Sequence, residues 1–390
     1  MVWTDNSNST GDNPDGALSS PDSYYNTLSI FDTTTPPPAP PPPVLPASGT
    51  DTLKGGNGND TILAGISDDL IYGGTAKDFI DGGLGDDTIR GEGGRDTIHG
   101  GAGDDEIRGN QGNDVLNGDA GDDHLIWSPG EANDTPSGGG GFDTLEIEGT
   151  SANDSYSINK TAGGSARTQV TDGSHTVTLG SSVEIITLKM GDGDDTVTVN
   201  DLKGVQGTLL AIYGENGDDT LTADESRIGT VRMLFDGGDG NDTLTGSIGN
   251  DSLFGGDGDD LLSAGDGHDT LEAGLGDDIL LGGLGSDVLK GEDGNDTLEG
   301  NTGHDSLVGG PGDDSLTGGY DNDTIIGGEG DDELNGQRGD DILYGDIGAD
   351  TLRGGSGDDL LDGGLNDDRL LANHHAGHFG VYGVVNLFEF

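Results

Sequence analysis

The sequence predicts an all-β chain wound as a parallel β-roll, a flattened β-solenoid, behind a disordered N-terminal region. Three observations predict it: aspartates on a nine-residue period, an apolar residue two places after each of them, and glycine clusters before them. Asp60, Asp69, Asp78, Asp87, Asp96, Asp105, Asp114 and Asp123 form one run. A second passes from Asp242 through Asp251, Asp260, Asp269, Asp278, Asp287, Asp296, Asp305, Asp314, Asp323, Asp332, Asp341, Asp350 and Asp359 to Asp368. Nine residues are too few for a helix pair and suit one turn plus one short strand, so two repeats close one coil of 18 residues. Side chains alternate across a strand, which turns the second residue after each aspartate inward. These positions are Ile62, Ile71, Ile80, Ile89, Ile98, Ile107, Leu116 and Leu125, then every ninth residue from Leu244 to Leu370, all Leu or Ile. The glycines allow the tight reversal between strands, where a Cβ obstructs the backbone. At the third glycine of the repeat, Asp321 and Asn366 are substitutes that tolerate a left-handed backbone; Ser67 and Ala76 are poorer ones and mark a weak stretch.

Each repeat is a variant of Gly-Gly-x-Gly-x-Asp-x-Leu/Ile-x, as in Gly82-Gly83-Leu84-Gly85-Asp86-Asp87-Thr88-Ile89-Arg90. In this the chain resembles the RTX, or hemolysin-type calcium-binding, family over residues 55–127 and 237–371. The resemblance implies calcium as cofactor, with carboxylates 18 residues apart sharing an ion: Asp242 with Asp260 and Asp278 on one edge, Asp251 with Asp269 and Asp287 on the other. The chemistry agrees, because calcium takes hard oxygen ligands from carboxylates and main-chain carbonyls. The candidate metal ligands are the aspartates of both runs except Asp78, together with Asp195 and Asp219 between them. Asp78 is left out because Ala76 and Lys77 stand beside it, and Arg95 brings positive charge next to Asp96. Pairing within the columns allows up to about 19 ions, fewer in the first run than its count, and best held at Asp260, Asp314, Asp332 and Asp359.

Residues 1–50 form a polar and Pro-rich linker in which Pro36 to Pro46 is an extended polyproline spacer. Residues 51–127 are the first β-roll block and 237–371 the second. Residues 128–236 form a β-rich insert of longer coils, where Asp195 and Asp219 precede Asp242 at spacings of 24 and 23. Within it, Asp143-Thr-Leu-Glu-Ile, Ser155-Tyr-Ser-Ile, Arg167-Thr-Gln-Val and Thr176-Val-Thr-Leu alternate as half-buried strands do. A separate small sandwich is the alternative for residues 143–236, with Pro136 and Gly138 to Gly141 as its hinge. Residues 372–390 are a short tail whose His374, His375 and His378 read as solvent-facing rather than as zinc ligands.

Seventy-five acidic residues against 15 basic ones leave a net charge of −60, which disfavours nucleic acid as a partner. With so few large apolar residues the chain sits near the composition of disordered proteins. About 19 divalent ions would cancel about 38 of the charges, so ion binding is expected to drive folding. No EF-hand loop, phosphate loop, His-Glu-x-x-His, Gly-x-Ser-x-Gly or cysteine is present. His99 and His124 take outward strand positions, and His268 and His304 stand in turns where Asp or Asn is usual. The expected protein is therefore not an enzyme but a secreted calcium-binding protein with a structural or cell-surface role. Its alternatives are a non-catalytic fragment or accessory region of an RTX enzyme of lipase or protease type, or an adhesin. No apolar run reaches transmembrane length, so no membrane insertion is expected. No Sec signal is visible at Met1; the resemblance implies type I export, although the tail after Leu371 is shorter than the family's usual export segment. The residues name no protein or surface partner.

Overall fold

A computed structural model of the chain describes residues 47–160, 168–179, 183–200, 202, 209–223, 231–371 and 380–381. The polyproline spacer and the histidine trio of the tail lie outside these residues. Every regular element among those described is a β-strand, and the chain is a parallel β-solenoid as its period predicts. It divides into two compact units, Met1–Ile147 with Ser174–Ile185, and Glu148–Gly173 with Ile186–Phe390. The 128–236 stretch thus contributes to both.

In the first unit one face stacks the strands Ala47–Ser48, Thr61–Ile66, Phe79–Leu84, Thr97–Ala102, Val115–Ala120 and Thr135–Gly140, all parallel. The other stacks Thr52–Asn57, Leu70–Thr75, Thr88–Gly94, Glu106–Arg108, His124–Trp127 and Thr144–Thr150. Register advances by one 18-residue coil, as in Thr61↔Phe79 and Phe79↔Thr97, until the last coil. There Val115 pairs with Thr135 and His124 with Thr144, so that coil holds 20 residues. Pro136, read above as part of a possible hinge, lies inside a strand opposite Leu116 and is buried. It takes the inward place that Leu or Ile fills elsewhere.

In the second unit the strands run parallel from Leu209–Asn216 through Arg232–Asp239 and Ser252–Asp257 to Leu360–Asp362 on one face. On the other they run from Ser155–Lys160 through Thr196–Val199, Thr220–Ala223 and Thr243–Thr245 to Arg369–Leu371. The parallel rule is broken where Ser155–Lys160 pairs antiparallel with Thr168–Thr171. The reason is length, since the seven residues between these strands are too few for a parallel crossover, which needs a dozen or more.

The core is the predicted file of inward residues. From Ile62 to Leu352 each has no solvent exposure, while Leu370 in the last strand is only half-buried. Burying each such side chain contributes roughly 1.5–3 kcal/mol. In the longer coils wider residues join the file, with Trp127, Tyr156, Met233 and Phe235 all almost completely buried. More residues per coil enclose more interior, and larger side chains fill it.

Candidate metal centre

The glycine-rich turns set the edges of the coils. At most of them the third glycine position has positive φ, and the non-glycine substitutes Ser67 (φ 100), Ala76 (φ 87), Asp321 (φ 74) and Asn366 (φ 91) adopt it too. The second position also turns left-handed at Glu92, Asn110, Asp119, Glu292 and Gln337, although Ser247 does not. The first position has room for little more than glycine, with alanine at Ala64, Ala264 and Ala273. A Cβ on Gly91 would lie 2.7 Å from both Asp96 Oδ2 and the carbonyl oxygen of Gly109 in the next coil.

Every motif aspartate is built into a column. The N–H of Asp60 donates to Asp78 Oδ1 (2.7 Å), that of Asp78 to Asp96 Oδ1 (2.8 Å), and the column continues through Asp114 to Asp134. On the opposite edge of the same unit a column joins Asp51, Asp69, Asp87, Asp105, Asp123 and Asp143. It ends where Asp143 N–H donates to Glu184 Oε2. In the second unit one column runs Asp154, Asp195, Asp219, Asp242, Asp260, Asp278, Asp296, Asp314, Asp332, Asp350, Asp368. The other begins at the main chain of Met233 and runs Asp251, Asp269, Asp287, Asp305, Asp323, Asp341, Asp359. All the candidate ligands therefore stand in columns, and the members expected to share an ion are neighbours one coil apart. Asp78 occupies its column in the same way as the rest.

Only one carboxylate oxygen is used by these bonds. At every motif aspartate from Asp69 to Asp350 except Asp251, and at Asp134, Asp143, Asp195 and Asp219, the second oxygen Oδ2 is buried with no hydrogen-bond partner. Burial without a counter-charge pushes these acids up, against the opposing pull of the main-chain N–H: Asp87, Asp96, Asp105, Asp260 and Asp314 to about 7 and Asp278 to about 6. Neighbouring carboxylates in the column add to the rise. Arg95 acts on Asp114, one coil onward, rather than on its chain neighbour Asp96. Among the described residues no three His, Asp or Glu side chains converge as a metal cluster, so an ion at these turns would draw on main-chain carbonyls as well.

A second, exposed ladder runs just outside. Where the residue before a motif aspartate is Asp or Asn, its side chain accepts the N–H of its counterpart one coil later, as in Asp86 Oδ1 from Asp104 N–H (2.9 Å) and Asp313 Oδ1 from Asp331 N–H (2.8 Å). His268 belongs here, its Nδ1 accepting Ser286 N–H (2.8 Å). Each outward histidine faces an acid, His99 against Asp119 (2.8 Å) and His124 against Glu146 (3.3 Å).

A family model, the RTX calcium-binding nonapeptide repeat, matches residues 47–80, 72–107, 90–125, 211–226, 236–271, 272–307, 308–343 and 335–370, more than half of the chain. The chain belongs to the RTX calcium-binding repeat family. No curated protein is similar enough to match it. The residues of this RTX chain fit the ion the family implies, because the unpartnered Oδ2 atoms and the carbonyls over the bare glycines are the hard oxygens that calcium prefers. When bound, the ion supplies the positive charge that these buried carboxylates lack.

The RTX matches pass over Asp134, Asp143 and Asp195. The nine-residue ruler also misses Asp134 and Asp143, because the coil that reaches them has two extra residues. The signal that marks them is the Asp-Thr step into the next strand, retained in Asn133-Asp134-Thr135 and in Phe142-Asp143-Thr144-Leu145.

Proposed function

We propose that this RTX chain is a secreted, non-catalytic protein that folds around multiple calcium ions outside the cell and serves a structural or surface-associated role. The observation that carries this reading is the set of columns of buried aspartates, most of which, as at Asp278 and Asp332, hold one oxygen to the backbone and leave the other without a partner. An unpaired buried carboxylate opposes folding strongly, and calcium reverses its effect. Extracellular calcium modules work at roughly 10⁻⁴–10⁻³ M, so such a chain stays unfolded where it is made and folds where it is delivered. Type I export of an unfolded chain accords with that order.

Calcium binding by equilibrium dialysis tests the compartment. Half-saturation is expected at roughly 10⁻⁴–10⁻³ M; saturation at micromolar calcium, which would fill the sites before export, contradicts the reading. Assays of the calcium-loaded chain on ester and peptide substrates are expected to show no turnover. Turnover would contradict the non-catalytic reading.

A further inference from the structure

Two departures from the repeat point in opposite directions. At Asp134 and Asp143 the nonapeptide has lapsed, yet the carboxylates are placed as in a full repeat. Asp134 is 2% exposed, its Oδ1 accepts Asp114 N–H (2.8 Å), and its Oδ2 is buried with no partner. Asp143 is 0% exposed, its Oδ1 accepts Asp123 N–H (3.0 Å), and its Oδ2 is likewise unpartnered. Glu131, itself buried, adds negative charge beside Asp114 and Asp134.

At Asp251 the reverse holds. The repeat Gly246-Ser247-Ile248-Gly249-Asn250-Asp251 keeps the period, with serine in the place of the second glycine. Ser247 is fully buried and gives Asp251 Oδ2 two hydrogen bonds, from its N–H (2.7 Å) and its Oγ–H (3.0 Å). Oδ1 accepts Met233 N–H (2.9 Å), so both carboxylate oxygens are satisfied by the protein itself. Asp251 is also the first aspartate of its column, with Met233 standing at the corresponding place one coil before it.

We propose that the cation sites of this chain follow the unpartnered oxygen and not the nonapeptide: Asp134 and Asp143 each hold a calcium ion, whereas the turn at Asp251 is closed by Ser247 and takes none. A buried carboxylate attracts a hard cation when its lone pairs lack donors and gains little from one when they are filled. Ser247 thus replaces an ion at the start of its column. This inference rests on the calcium reading proposed above.

The test counts ions by native mass spectrometry of the full chain in millimolar calcium, with circular dichroism confirming that each variant is β-rich. Asp134→Asn and Asp143→Asn are each expected to lose at least one ion. Asp251→Asn is expected to keep the wild-type count. An unchanged count in Asp134→Asn or Asp143→Asn, or a loss in Asp251→Asn, overturns the proposal. Asp278→Asn separates the two levels of the argument: it loses an ion if the calcium reading holds, while a wild-type chain that binds no calcium refutes that reading itself.

Discussion

A motif aspartate serves its turn through several groups at once. Asp278 donates its N–H to Asp296 Oδ1, accepts Asp260 N–H at its own Oδ1, and offers its carbonyl to Thr297 N–H, which leaves Oδ2 for a cation. Burial raises such carboxyls, Asp278 to about 6 and Asp260 to about 7, far above the unfolded value of about 3.9. The folded, ion-free chain thus holds more protons than the unfolded one between these values, so its stability falls as pH rises through that window. Calcium needs the ionised form and competes with those protons. Two results are expected by circular dichroism: in chelator the chain is more β-rich at pH 5.5 than at pH 7.5, and the calcium needed for half-folding is higher at pH 5.5. Backbone strain gives a separate prediction at this scale. Ala76 holds φ at 87 where glycine is usual, so Ala76→Gly is expected to stabilise the calcium-loaded chain by about 1 kcal/mol, measured by thermal unfolding. The sequence made the left-handed third position legible through Asp321 and Asn366. The second position was not, because Glu92 and Gln337 are not residue types that announce such a backbone.

At the scale of the coil, one inward side chain per strand carries the apolar core, and each coil packs only on its neighbours. Leu298→Ala, within the regular second block and with no solvent exposure, is expected to cost about 2–5 kcal/mol in calcium-saturated unfolding. Glu299→Ala, on the adjacent outward position, is expected to change stability by under about 0.5 kcal/mol. The regular coils were readable because each repeats one local rule: aspartate at the turn, Leu or Ile inside, glycine where the chain reverses. The longer coils were only partly readable. Pro136 looks like a hinge residue yet stands opposite Leu116 in a strand, and Asp134 falls off the ruler because its coil has two extra residues. The antiparallel pair of Ser155–Lys160 with Thr168–Thr171 follows from a connection too short to cross over, a constraint that the alternation pattern does not reveal.

For the whole molecule the balance is between charge and a thin core. A net charge of −60 on 390 residues repels itself, and the columns concentrate part of that charge where water does not reach it. On the proposed reading, a cation along the turns lets the apolar file and the strand ladders within each unit outweigh this repulsion. Magnesium is a poor substitute, since it demands octahedral geometry and gives up its waters reluctantly. The most direct measurement is far-ultraviolet circular dichroism of the full chain at pH 7.5, first in chelator and then in millimolar calcium or magnesium. A largely disordered spectrum that becomes β-rich with calcium, and little changed with magnesium, is the predicted result; the same β-rich spectrum in chelator as in calcium would contradict it.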